Sequence, residues 1–140
     1  MKYTESLKKY GDFRQVYQKG KSFANRSLVM YVYENKSCGN RIGISVSKKV
    51  GNSVVRHRVT RLIRESCRLN EERFVRGLDV VIVARPGAKE LDFFAVERAL
   101  LHLAGLHRIL MTSGENAAAG GPVLKESVKN TDEKGFDPTD

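Results

Sequence analysis

The sequence predicts an α/β fold, an α+β sandwich in which a mixed four-stranded sheet carries helices packed mainly on one face. Three observations predict it. Segments of helical and strand period follow one another in the order α-β-β-β-α-β-α. Turn-forming residues punctuate them cleanly. A chain of 140 residues with 41% hydrophobic side chains has apolar material for one core.

Each element follows from its local pattern. Residues 11–19 form a first helix, with Phe13, Val16 and Tyr17 at i, i+3, i+4 and Gly20 as the stop. A short strand over residues 21–25 comes next. Residues 27–34 then hold a run of strand formers, Leu28 to Tyr33. Residues 40–47 alternate Ile42, Ile44 and Val46 with Arg41, Gly43 and Ser45, the period of a strand with one buried face. Between these two strands, Asn35 to Gly39 reads as a hairpin loop. A second helix spans residues 53–70. Residues 79–84 make a buried strand that ends before Pro86-Gly87, with Asp79 at its start reading as a turn residue. The last helix covers residues 92–111, with Phe93, Val96, Leu100, Leu103, Leu106, His107 and Leu110 near one face.

Residues 112–140 differ in composition: three Lys, six acidic residues and a Ser/Gly/Ala/Pro-rich background with few apolar side chains. They read as a disordered acidic tail, leaving residues 1–111 as the domain. The formal charge of +9 therefore combines a tail of −3 with a domain of +12. Such an excess is the footprint of a polyanion binder, with an anionic membrane surface as the weaker competitor. No run approaches the roughly 20 apolar residues of a membrane span, and Met1 to Glu5 lack an apolar signal core. A cytoplasmic protein is expected. Cys38 and Cys67 lie outside any Cys-x-x-Cys spacing, and His102 and His107 point about 140° apart around a helix, so no metal site is expected. Cys67 borders an apolar face and reads as packed. No nucleotide-binding loop or hydrolase motif is present, so no catalytic residue is assigned.

The second helix carries the chemistry. Val55, Val59, Leu62, Ile63, Ser66 and Leu69 fall on one stripe, and His57, Arg61, Arg64 and Arg68 on the opposite one, with Arg56 and Arg58 flanking. Asn52 or Ser53 suits the N-cap, and Gly51 permits a sharp turn before it, beside Lys48 and Lys49. Between Lys48 and Asn70 the only acid is Glu65. A merely solvated helix face would interleave both signs, whereas a ridge about 27 Å long with cations one turn apart fits a run of phosphates.

Here the chain resembles the protein subunit of bacterial ribonuclease P. Ser47, Lys48, Lys49, Gly51, Asn52, Val54, Arg56, Arg58, Arg61, Arg64 and Glu65 match that family's signature in register. The resemblance extends over residues 3–111, through Asp12-Phe13, Gly20, Ala24-Asn25-Arg26 and Val81-Ile82-Val83-Ala84-Arg85. His57 stands where the family usually has Asn, and Thr60 where it usually has Lys. The first gives a pH-dependent donor and the second removes a cation.

The resemblance implies a ribosomal-protein-like domain with a left-handed βαβ crossover, although the general rule for such units is right-handed. It also implies a subunit that binds a catalytic RNA, in a 1:1 ratio or a higher assembly, through Lys48, Lys49, Asn52, Arg56, His57, Arg58, Arg61, Arg64 and Arg68. The 5′ leader of precursor tRNA would lie in a cleft with Phe13, Tyr17, Tyr31, Ser45 and Lys48. Mg²⁺ would act with the RNA, which cleaves the leader, and no organic cofactor is implied. On the residues alone, Phe13 and Tyr17 fit core packing better than base stacking.

Overall fold

The computed structural model describes residues 4–111; the predicted acidic tail lies outside the described residues. The elements are β1 (Thr4–Ser6), α1 (Tyr10–Lys19), β2 (Lys21–Ala24), β3 (Leu28–Glu34), β4 (Asn40–Ser45), α2 (Ser53–Leu69), β5 (Leu78–Ala84) and α3 (Phe93–His107). Short 3-10 turns at Glu71–Arg73 and Pro86–Glu90 flank β5. The strands form one mixed sheet in the order β1-β4-β5-β3-β2.

Strand periodicity sorts the side chains into two layers. Leu28, Met30, Val80, Ile82, Ile42 and Ile44 face one way and meet Val59, Ile63 and Cys67 of α2 and Val96, Leu100 and Leu103 of α3. Val29, Tyr31, Val81 and Val83 face the other way, where Val16, Phe13 and Tyr17 of α1 cover them with Leu7. Two helices thus occupy one face and a single helix the other. Adjacent and parallel, β4 and β5 are joined through α2, which makes the βαβ unit.

Five expectations change. Residues 35–39 are not a hairpin loop, because β5 lies between β3 and β4 and pairs with both. The sheet has five strands, because β1 pairs in parallel with β4 from Thr4↔Asn40 to Ser6↔Ile42. Its three residues are polar and mostly exposed, so backbone pairing rather than a hydrophobic pattern holds it. The last helix ends at His107, not at residue 111. Arg108 takes the left-handed conformation (φ 62°, ψ 40°) and donates its N–H to Ala104 and Gly105 carbonyls, after which Leu110 bridges to Phe74. Leu69 is 55% exposed at the end of α2 and leaves the apolar stripe. Asp79 is no turn residue: it lies within β5, fully buried, and is held by Arg41 and Asn35.

Candidate nucleic-acid interface

The turn before α2 is pinned from inside. Val50 is buried, and Ser47 accepts the Val50 N–H at its carbonyl and the Lys49 N–H at its hydroxyl, so Lys48 and Lys49 remain exposed. Asn52 is the N-cap, its side-chain oxygen accepting the Val55 N–H at 3.0 Å. The need for Gly51 is steric: its φ is not left-handed, but a Cβ there would lie 2.8 Å from Val55 Cγ1.

The predicted basic ridge divides in two. His57, Arg61 and Arg64 are exposed on it as expected. Arg58 instead donates to the Lys89 carbonyl at 2.6 Å and the Leu91 carbonyl at 3.2 Å, tying α2 to the chain before α3. Its guanidinium serves the fold, since two of its donors are taken up by backbone carbonyls of another segment. Arg68 is paired with Glu65, three residues earlier. That hydrogen bond lowers the Glu65 carboxyl from its usual range and raises the Arg68 guanidinium.

Between α2 and β4 lies an open cavity of about 530 Å³, walled by Arg56, His57, Thr60, Arg61 and Arg64 and floored by Ile44, Ser45 and Val46. No acidic residue lines it. Arg56 Nε is buried there without a hydrogen-bond partner among the described residues. A second cavity of about 450 Å³ shares Ile44 and Arg64 with the first and continues past Glu65 and Arg68 to Thr4, Glu5 and Ser6 of β1 and to Lys8 after it. Sequence reasoning missed the β1 contribution because no pattern marked that strand.

The opposite face carries the aromatic residues. Tyr17 stands edge-on to Tyr31, with centroids 4.7 Å apart, and Phe13 lies 6.5 Å from Tyr17. Phe13 rests on Gly43 of β4, where a Cβ would come within 2.6 Å of its ring. Of the expected leader residues, Phe13, Tyr17 and Tyr31 pack together on this face, while Ser45 also lines the α2 cavity and Lys48 lies in the turn before α2, and they are not equally accessible. Phe13 and Tyr17 are half-buried, whereas Tyr31 is 4% exposed and Ser45 8%. Tyr31 supports Tyr17 from beneath, because it lies mid-sheet opposite Val81 and α1 crosses above it. Lys48 is the exposed cation of the set.

Asp12 and Arg41 are the residues near this face that sequence reasoning passed over. Arg41 Nη1 bonds Asp12 of α1 at 3.2 Å while the rest of its guanidinium holds Asp79. The hydrogen bond to Asp79 raises the Arg41 guanidinium. The alternation of β4 already put Arg41 on the α1 side with Gly43 and Ser45, and an arginine under a helix calls for an acid.

The remaining candidates are structural. His107 is largely buried, contacts the Met30 carbonyl through Nε2 at 2.9 Å and packs edge-on to Phe23. Burial lowers it to about 4. Cys67 is buried, which pushes its thiol up to about 12, and Cys38 is exposed. Among the described residues no three His, Cys, Asp or Glu side chains are grouped to hold a metal, and no helix is long and apolar enough to cross a membrane.

The family model for ribonuclease P matches residues 1–107. A ribonuclease P protein component from Lachnoclostridium phytofermentans is 59% identical over 110 residues, which is 79% of this chain and 95% of that protein. The Staphylococcus aureus RNase P protein superposes with a TM-score of 0.70 at 36% identity, covering 74% of this chain and 95% of its own. A variant of it, described as having defective mRNA degradation activity, superposes equally, at TM-score 0.70 and 36% identity over 74% of this chain and 88% of its own. The matched span holds every element from β1 to α3, and on that ground the chain belongs to the bacterial ribonuclease P protein family, the protein subunit of ribonuclease P.

Proposed function

We propose that the α2 face binds the catalytic RNA of ribonuclease P and that the α1 face receives the single-stranded 5′ leader of precursor tRNA. The protein thereby promotes Mg²⁺-dependent endonucleolytic hydrolysis of the leader phosphodiester in the cytoplasm, and the RNA performs the chemistry. The observation that carries this reading is the cavity beside α2, walled by Arg56, His57, Arg61 and Arg64 with no carboxylate among its lining residues. Cations gathered without counter-charge in the first cavity favour a polyanion, and the adjoining cavity, where Glu5 and Glu65 accompany Arg64, Arg68 and Lys8, continues the groove along the 17-residue helix. Phe13 and Tyr17, half-exposed beside the sheet, offer ring faces to unpaired bases, at about 1–3 kcal/mol per base.

The described residues offer no acidic or Cys/His cluster fit for Mg²⁺, so the ion is assigned to the RNA and no step runs through a protein-bound metal. The test is processing of precursor tRNA by the purified chain with and without its RNA subunit at moderate salt. Mature 5′ ends should form only with both RNA and Mg²⁺. Cleavage by the protein alone, abolished by His57→Ala, would overturn the reading in favour of a protein nuclease. The protein-alone arm should also be offered an mRNA, given the activity described for the Staphylococcus aureus relative.

A further inference from the structure

The cavity beside α2 contains one side chain whose charge is not fixed. His57 is exposed on its wall, and Arg56, Arg61 and Arg64 share that wall. From β4 and the residues after it the cavity receives only Ile44, Ser45 and Val46, which are uncharged. The nearest acid along α2, Glu65, is paired with Arg68 and lines the adjoining cavity instead. Other titratable or charged groups on elements packed against α2 are Arg41 of β4, Lys89 and Glu90 of the turn before α3, Glu71, Glu72 and Arg73 of the turn after α2, and Glu97, Arg98, His102 and His107 of α3. None of them lines this cavity.

An imidazole changes charge between pH 5 and 8. A phosphate entering the space that Arg56, Arg61 and Arg64 share with this imidazole puts negative charge beside it, which favours the charged form of the ring. Binding of the polyanion and protonation of the imidazole then favour each other, and by linkage the coupling is reciprocal. We propose that RNA binding at this cavity is proton-linked through His57, so that RNA is held more tightly as pH falls through neutrality. This rests on the reading of the cavity as an RNA site and adds its regulation by pH. Arg61 and Arg64 stay charged throughout this range, so the pH response belongs to one residue among otherwise constant cations.

The experiment is titration of the full chain with the catalytic RNA at pH 6.0 to 8.5, at fixed ionic strength and fixed Mg²⁺. The wild type should bind about five- to tenfold more tightly at the acid end, the change that about one pH unit of linkage supplies. His57→Asn, a neutral donor of similar reach, should vary less than about twofold, and His57→Arg should be flat and as tight at pH 8.5 as the wild type at pH 6.0. Calorimetry in two buffers of different ionisation heat should show proton uptake on binding by the wild type but not by His57→Asn. Parallel pH curves for the wild type and His57→Asn would overturn the proposal while leaving the RNA site intact. Absence of salt-dependent RNA binding by the wild type at every pH would instead overturn the underlying assignment of the cavity.

Discussion

The guanidinium of Arg41 grips the carboxylate of Asp79 with two hydrogen bonds, Nε to Oδ1 at 3.0 Å and Nη2 to Oδ2 at 2.7 Å. The two residues are direct partners in the β4–β5 register, and Asn35 donates to the same carboxylate at 2.7 Å. With Asp79 1% exposed, these donors take the place of water at its carboxylate oxygens. Through its third nitrogen Arg41 also reaches Asp12, so one side chain sets α1 against the sheet. That contact lies next in sequence to Phe13, which links the ion network to the aromatic face.

Removing Arg41 should therefore cost more than an ordinary surface substitution. Arg41→Ala leaves Asp79 buried without its main partner and should lower stability by about 3 kcal/mol. Asp12→Ala, at a side chain 28% exposed, should cost less than about 1 kcal/mol. Urea unfolding of both variants and of Arg41→Ala/Asp79→Asn checks this, because the double variant should recover part of the loss.

Gly43→Ala should displace the Phe13 ring, since a Cβ at residue 43 would come 2.6 Å from Phe13 Cζ and 3.2 Å from Leu7 Cβ. The strain should cost about 1–2 kcal/mol of stability. Binding of leader-bearing tRNA should weaken severalfold, with mature tRNA and the catalytic RNA bound as before. Paired titrations with the three RNAs measure this, and equal weakening for both tRNAs would disprove a leader role for the Phe13 site.

Two arginines on α2 should behave differently. Arg61→Ala removes an exposed cation and should reduce the salt dependence of RNA binding by about one phosphate contact, with unchanged thermal stability. Arg58→Ala breaks the bonds to the Lys89 and Leu91 carbonyls and should lower stability by about 1–3 kcal/mol with little change in the salt slope. Binding measured at several salt concentrations, alongside thermal unfolding, separates them.

His107 predicts an acid-sensitive fold. Burial lowers it to about 4, from the usual 6.5, so the unfolded chain binds more protons between those values. Its stabilising contribution is complete above about pH 6.5 and is lost as pH falls toward 4, amounting to about 2 kcal/mol between pH 7 and pH 5. Equilibrium unfolding at those two pH values should show this loss, and His107→Gln should remove most of it even though its stability at pH 7 is lower.

The elements with strong periodicity were legible from sequence, and the exceptions share a cause. Ile42 and Ile44 announced β4, and Val59 and Ile63 announced the buried side of α2, because burial on one face writes a period into the chain. Thr4–Ser6 wrote none, since β1 is held by backbone bonds to β4. The end of α3 was hidden for a different reason. Leu110 continues the apolar spacing of the helix, yet it packs through a bridge to Phe74 after the turn at Arg108. For the candidate site, spacing located the cations but not their partners. Arg58 and Arg61 look alike in sequence, and only the approach of Lys89 and Leu91, over 30 residues away, makes one a tie and leaves the other exposed.

The short strand β1 has a practical consequence. Thr4, Glu5, Ser6 and Lys8 form a wall of the cavity that Arg64, Glu65 and Arg68 close from the other side. Any peptide fused ahead of residue 1 would enter within a few residues of that wall, and an acidic affinity tag there would compete for guanidinium groups of the proposed RNA site. A tag placed after residue 140 keeps its attachment point 29 residues of chain away from Met111, the last residue described, and is the arrangement to use when RNA affinities are compared.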